Sequence, residues 1–127
     1  MELLNNLYSI QEQTDTGFKI RLNPDCIIYK AHFPGKPITP GVCLIEMVRT
    51  LAEQAVGNRL SLNFVKNVKF LSVVSPVQYS ELNIDLNITG NPNTEQFSDD
   101  KTLKTQAIIF FGDTVFAKMS LIFKSNT

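Results

Sequence analysis

The chain has 127 residues, enough for one domain over residues 1–127 with a sizeable apolar core. Hydrophobic residues make up 43% and charged residues 19%, and 12 basic and 12 acidic side chains give zero formal charge, which excludes a general attraction to nucleic acid. No apolar run is long enough to span a membrane, and the first residues lack the basic and apolar regions of a signal peptide. We therefore expect a cytoplasmic protein that binds neither nucleic acid nor membrane.

Two short strands are predicted at the start of the chain, over residues 7–13 and 17–22. In the second, Phe18, Ile20 and Leu22 alternate with basic residues, which is the period of a half-buried strand. The Thr-Asp-Thr-Gly sequence between the strands is typical of a hairpin turn. The apolar run at residues 26–29 is predicted to be extended and to lead into the next loop.

The loop that follows is unusually rich in proline and carries the only histidine of the chain, His32. Three of the six prolines lie in this segment, so it can form neither a helix interior nor a central strand. Residues that precede proline are also restricted to extended geometry. A stiff, irregular loop of this kind is expected to position functional groups.

One long helix is predicted over residues 42–56, where apolar residues recur at helical spacing. Gly57 and Asn58 then suit its C-terminal end. Gly41 lies at its N-terminus, where unpaired N–H groups and the helix dipole favour negative charge. Glu46 lies just over one turn into the helix, away from the apolar stripe.

The remaining chain is predicted to form strands over residues 64–74, 77–89, 101–111 and 114–123. Strict alternation from Leu82 to Ile88 makes the second of these the clearest strand. The polar residues 90–100 are predicted to form a long exposed loop, and Gly112 and Asp113 a tight turn. One helix can cover an antiparallel sheet only if the sheet curls around it, so the predicted fold class is α+β with a curved sheet around a central helix.

The segment from His32 to Glu46 reads HFPGKPITPGVCLIE. This pattern resembles the signature of the hotdog-fold beta-hydroxyacyl-acyl-carrier-protein dehydratases. The resemblance implies a hotdog fold paired edge to edge as a homodimer, or a higher oligomer of dimers, with a heterodimer as the alternative. It also implies a 3-hydroxyacyl chain on acyl carrier protein as substrate, and a site in which His32 of one subunit works with Glu46 of the other.

Dehydration of a 3-hydroxyacyl thioester needs a base near C2, a donor at the thioester oxygen and an acid near the C3 hydroxyl. His32 suits the base because an imidazole titrates near neutrality, and the resemblance implies that the carbonyl of Ile38 orients its ring. The Gly41 N–H suits the role of hydrogen-bond donor to the thioester oxygen. Glu46 suits the role of the acid if its site excludes water. Apolar side chains near the histidine, those of Phe33 and Val42, are expected to line the substrate site.

Three alternatives remain open at this point. An ion pair between Glu46 and Arg49, three residues later, would keep the carboxylate ionised and make it a poor acid. The family commonly has Glu-Ala-x-Ala-Gln where this chain has Glu-Met-Val-Arg-Thr, which favours a specialised substrate or a non-catalytic hotdog subunit that binds acyl carriers. An acyl-thioester hydrolase on the same fold is the third reading.

No cofactor or metal is expected. Elimination of water involves no redox change, and the sequence has no Gly-rich phosphate loop. Cys26 and Cys43 have no metal-ligand spacing with each other or with His32, so they are predicted to be buried, reduced thiols.

Overall fold

The structure is a computed structural model that describes residues 6–31, 35–90 and 102–125. Its elements follow the order strand, strand, short helix, long helix and four strands. Their bounds are β1 Tyr8–Gln13, β2 Gly17–Leu22, α1 Ile27–Ala31, α2 Gly41–Val56, β3 Leu60–Phe70, β4 Glu81–Thr89, β5 Thr102–Phe111 and β6 Thr114–Ser125.

The six strands form one antiparallel sheet in the order β1-β2-β4-β5-β6-β3. The predicted hairpin turns at residues 14–17 and 112–113 join β1 to β2 and β5 to β6. The chain crosses from α2 to the far edge, β3, before it returns to β4 in the middle of the sheet. Most of the predicted loop at residues 90–100 lies outside the described residues.

The core lies between the concave face of the sheet and α2. Val48, Leu51 and Ala52 on the helix are fully buried against inward-facing residues of the strands, such as Ile84 and Leu121. Each large apolar side chain removed from water contributes about 1.5–3 kcal/mol before conformational entropy is subtracted. The helix and sheet therefore stabilise each other, and the predicted curved sheet around one central helix is confirmed.

The run at residues 26–29 was predicted to be extended, but its residues 27–29 instead form the start of α1. The Asn23 side-chain oxygen accepts a hydrogen bond from the Asp25 N–H at 3.0 Å, and the Cys26 N–H donates to the Asn23 carbonyl at 3.1 Å. Such Asx turns start a helical turn locally. Ile28 and Tyr29 are then buried by the helix, which periodicity over so short a run could not indicate.

Other predicted bounds shift by a few residues. Helix α2 begins at Gly41, one residue earlier than predicted, and ends as predicted before Gly57, whose φ of 76° is left-handed and whose N–H donates to the Glu53 carbonyl at 2.8 Å. Strand β3 begins at Leu60 and ends at Phe70, earlier than predicted at both ends. Residues 71–74 instead leave the sheet and line a cleft, described below.

Strand β3 is an edge of the sheet and carries apolar side chains that are exposed. Leu62, Phe64 and Val65 are 40%, 57% and 42% exposed. An edge strand with unpaired backbone groups and exposed apolar side chains is suited to pairing with another chain. None of the helices in the described part of the chain has the length and apolar character needed to cross a bilayer.

Candidate active site

The loop before α2 is held in place by two hydrogen bonds at Thr39. Its backbone N–H donates to the Val74 carbonyl at 2.8 Å, and its hydroxyl lies 2.8 Å from the Tyr29 hydroxyl on α1. Thr39 and Tyr29 are both only 4% exposed, so this bond is shielded from water. His32 and Phe33 lie outside the described residues, and their predicted roles stay predictions.

Burial raises the pKa of Tyr29 to about 12, although its hydrogen bond to Thr39 acts in the opposite direction. Because an exposed tyrosine in the unfolded chain titrates near pH 10, the folded state loses stability only as pH rises from about 10 to about 12. The loss at pH 11 is about 1.4 kcal/mol, the equivalent of one pH unit. Tyr29→Phe is therefore expected to remove about this much of the difference in unfolding free energy between pH 8 and pH 11, measured with urea.

At neutral pH the same variant is expected to be less stable by about 1 kcal/mol, because the buried Thr39 hydroxyl loses its partner. An alkaline loss of stability equal in Tyr29→Phe and in the unmodified protein would contradict the assignment of this titration to Tyr29.

The N-terminus of α2 presents two unpaired backbone donors. Pro40 caps the helix in an extended conformation, and its carbonyl accepts from the N–H groups of Cys43 and Leu44 at 3.0 and 3.2 Å. Within the described residues, the N–H groups of Gly41 and Val42 have no hydrogen-bond partner in the protein. They are available to an electronegative ligand atom, as helix N-termini generally are.

An apolar cleft of about 510 Å³ opens beside this helix start. Gly41 forms part of its wall, and the Phe70 ring lies so close to the Gly41 Cα that a Cβ there would be 2.5 Å from the Phe70 Cζ. A side chain at position 41 would therefore displace the ring. The cleft is lined by Ile38, Thr39, Pro40, Gly41, Leu44, Phe70, Leu71, Ser72, Val73 and Val74.

The structure thus brings together two of the predicted substrate-binding residues, Ile38 and Gly41, in one cleft. Val42 does not line it and is 64% exposed. Phe70 and residues 71–74 were not singled out from the sequence as site residues. The apolar run at the end of the predicted strand was the available signal, but only the fold places it opposite Gly41.

Glu46 is paired with Arg49, which is the alternative that the sequence left open. The Arg49 Nε donates to Glu46 Oε2 at 2.9 Å, and Arg49 Nη2 to Glu46 Oε1 at 2.5 Å. Both oxygens of Glu46 therefore accept charge-assisted hydrogen bonds from Arg49. The predicted role of Glu46 as the acid stays a prediction.

The two cysteines are buried and form no disulfide, as predicted. Burial is also the main reason why the pKa of the Cys43 thiol is raised, so it is not an activated nucleophile. Burial likewise raises the pKa of Tyr8, whose hydroxyl lies 2.5 Å from that of Thr50. The described residues contain no cluster of His, Cys, Asp and Glu side chains that could hold a metal ion.

A curved antiparallel sheet around one helix, with an apolar cleft at the start of that helix, defines a hotdog-fold protein. Residues 9–113 match the family model described as ApeI-like, ApeI dehydratase. The chain therefore belongs to the ApeI-like dehydratase family, which confirms the dehydratase family predicted from the motif.

Two similar proteins are named 3-hydroxyacyl-[acyl-carrier-protein] dehydratase FabZ. The one from Clostridium acetobutylicum is 38% identical over 66 residues, which are 46% of this chain, and the match spans only about half of that relative, 47%. The one from Lactiplantibacillus plantarum is 27% identical over 97% of this chain and 88% of the relative. These matches support a dehydratase and leave its substrate to be proposed.

A solved structure shares the fold. The dehydratase heterocomplex ApeI:P from Xenorhabdus doucetiae contains a chain that superposes with a TM-score of 0.60 and 19% identity, over 91% of this chain and 94% of that one. At this identity the likeness concerns the fold.

Proposed function

We propose that this protein removes water from a 3-hydroxyacyl thioester carried on acyl carrier protein and forms the trans-2-enoyl thioester, in the synthesis of fatty acids or a related lipid or polyketide. The observation that carries the proposal is the apolar cleft that begins at the unpaired N–H groups of α2. An acyl chain would lie in the cleft, with its thioester oxygen toward the helix start. The reaction needs no cofactor.

His32 is the proposed base, six residues before the Ile38 that lines the cleft. It would take a proton from C2, and the negative charge that develops on the thioester oxygen would be stabilised by the Gly41 N–H. One well-placed donor to such an oxygen contributes about 3–4 kcal/mol to lowering the barrier. The absence of a side chain at Gly41 lets the oxygen approach its backbone.

The active form is proposed to be a dimer joined along the exposed apolar edge of β3, because that edge leaves unpaired backbone groups beside exposed apolar side chains. Such an interface would place the α2 helices of the two copies near each other. The site would then combine His32 of one copy with Glu46 of the other. Acyl carrier protein is proposed to deliver the substrate.

One observation favours a second candidate function, that of a non-catalytic subunit that supports an active partner. The pairing of Glu46 with Arg49 removes the simplest proton donor from the site. A chain without a working acid could still contribute the cleft and the helix N-terminus to a heterodimer.

The purified protein should be incubated with a 3-hydroxyacyl thioester and with the corresponding 2-enoyl thioester, and the enoyl absorbance followed. Glu46→Gln is expected to lower turnover by about 10-fold to 100-fold, since it removes a positioned charged group from the reacting centre. Glu81→Gln is the matched control, because this carboxylate pairs with Lys19 and Arg21 on β2 and lies outside the cleft.

Release of free thiol without enoyl formation would contradict the proposal and favour a hydrolase. No reaction with the protein alone, followed by turnover when a second hotdog subunit is added, would favour the non-catalytic subunit.

A further inference from the structure

We propose that the buried hydroxyl pair of Tyr29 and Thr39 positions the start of α2, so that the unpaired Gly41 N–H is held at the place where a thioester oxygen binds. Tyr29 and Thr39 are thus positioning residues, which act on the reaction through the loop between α1 and α2. The inference rests on the proposed dehydratase function, because that function gives the Gly41 N–H its role.

The apolar cleft has two walls, and one hydrogen bond joins them. The loop before α2 forms one wall, and the segment after β3 forms the other. Across the cleft, the Thr39 N–H donates to the Val74 carbonyl at 2.8 Å. The second wall is also fixed to the sheet, because the N–H groups of Leu71 and Ser72 donate to the Phe116 carbonyl of β6 at 2.8 and 3.2 Å. The position of the first wall therefore depends on how Thr39 is held.

Helix α1 holds Thr39 from a further direction. The Tyr29 hydroxyl lies 2.8 Å from the Thr39 hydroxyl, and Tyr29 itself packs in a small apolar cluster that includes Cys26 and Cys43. Because Cys43 lies in the first turn of α2, this cluster packs α1 against the start of that helix. Thr39 is thus bonded both to α1 and to the opposite wall, two residues before Gly41.

The pair is polar at a place where apolar side chains would pack as well. Tyr29 and Thr39 are each 4% exposed. A buried hydroxyl costs free energy unless it is hydrogen-bonded, and a bond between two neutral hydroxyls offsets little more than that cost. Phenylalanine and valine would fill almost the same space without polar groups. Stability therefore does not explain the pair, whereas a directional hydrogen bond gives the loop a single position.

The backbone between Thr39 and the helix transmits this position to the donor. Pro40 is extended, with φ −60° and ψ 149°, and its carbonyl accepts the N–H groups of Cys43 and Leu44. Since the proline ring fixes φ, a displacement of Thr39 is carried to Gly41. A donor to a developing oxyanion must lie within about 2.7–3.1 Å of the oxygen. A misplacement of about 1 Å can lower the rate by about 10²-fold.

The test uses the double variant Tyr29→Phe/Thr39→Val, which removes both hydroxyls so that neither is left buried without a partner. Its urea midpoint is expected to match that of the unmodified protein, because replacing both partners by apolar groups of similar shape is nearly neutral. Its kcat for enoyl formation is nevertheless expected to fall by about 10-fold, with a smaller change in KM, because the displaced N–H acts mainly in the transition state. Thr39→Ser, which keeps the hydroxyl, is expected to retain most of kcat.

Thr105→Val is the matched control. Thr105 lies on β5, is fully buried and does not line the cleft, and its hydroxyl has no hydrogen-bond partner among the described residues. The control therefore removes a buried threonine hydroxyl away from the proposed site, and its kcat is expected to be unchanged. A double variant as active as the unmodified protein would overturn the inference, and so would an equal fall in kcat in Thr105→Val.

A second measurement needs no turnover and separates this inference from the proposed function. Hydrogen exchange of the Thr39 amide is followed by NMR in Tyr29→Phe, in which residue 39 is itself unchanged. Exchange is expected to be about 10-fold faster than in the unmodified protein, after correction for the change at the Ile84 amide of β4, which reports global unfolding. If no protein turned over substrate, the proposed function would fail, and the exchange rate would still decide whether Tyr29 holds the loop. Equal corrected rates would overturn the inference.

Discussion

Replacement of His32 by alanine is expected to lower kcat for dehydration by about 10²-fold to 10⁴-fold, the usual contribution of a positioned general base. The loss should be the largest of any single change in the site, because the imidazole is the proposed base that removes the C2 proton. The measurement is enoyl formation from a 3-hydroxyacyl thioester at saturating substrate. Circular dichroism and thermal unfolding of the variant should match those of the unmodified protein, and activity that survives the change would contradict the assignment.

The same variant tests whether the site is shared between two copies. His32→Ala and Glu46→Gln chains would be mixed, unfolded and refolded together. If each site takes His32 from one copy and Glu46 from the other, mixed dimers contain one intact site, and the mixture should recover about a quarter of the unmodified activity by random pairing in a two-fold dimer. A mixture no more active than its components would show that both residues of a site come from one chain.

Replacement of Gly17 by alanine is expected to destabilise the protein by about 3 kcal/mol, at the upper end of the usual cost of overpacking. Gly17 begins β2 opposite Asp85 of β4, and a Cβ at this position would overlap the Ile84 carbonyl oxygen. Because the obstacle is backbone, the two strands would have to separate. The free energy of unfolding in urea, compared at constant pH, measures the loss.

Lys19→Ala in the same strand is the control for the Gly17 change. Its only described ionic contact is a 3.7 Å pair with Glu81, and such exposed pairs contribute about 0–1 kcal/mol. Equal destabilisation by the two substitutions, or full stability of Gly17→Ala, would show that β2 and β4 do not approach as closely as the structure has them.

Local sequence was sufficient to predict the elements that bury one side and expose the other at a regular spacing. The alternation from Leu82 to Ile88 predicted β4, and the helical spacing from Leu44 to Ala52 predicted α2, because one side of each element is buried. The prediction was wrong for residues 26–29, because an Asx turn at Asn23 and contacts distant in sequence decided the conformation of that short run.

The candidate site was only partly predictable for a similar reason. Gly41 and Ile38 stand inside a motif of fixed spacing, and both line the cleft. Phe70 lies at the end of an edge strand and contacts Gly41 in the fold. The two residues are too far apart in the sequence for a local pattern to predict this contact. The partnership of Glu46 with Arg49 was visible as a spacing of three residues, but a spacing does not say which of two roles the carboxylate has.

The amino-acid sequence by itself determined the family, the central helix, the alternating strands and the motif that carries His32, because each depends on residue types at short, fixed separations. Only the tertiary structure decided that Phe70 lines the cleft beside Gly41 and that Arg49 binds Glu46, Glu53 and the first residue of β3 at once. The physical reason is that burial and charge pairing depend on which surfaces the folded chain brings into contact, and here those surfaces are contributed by segments far apart in the sequence.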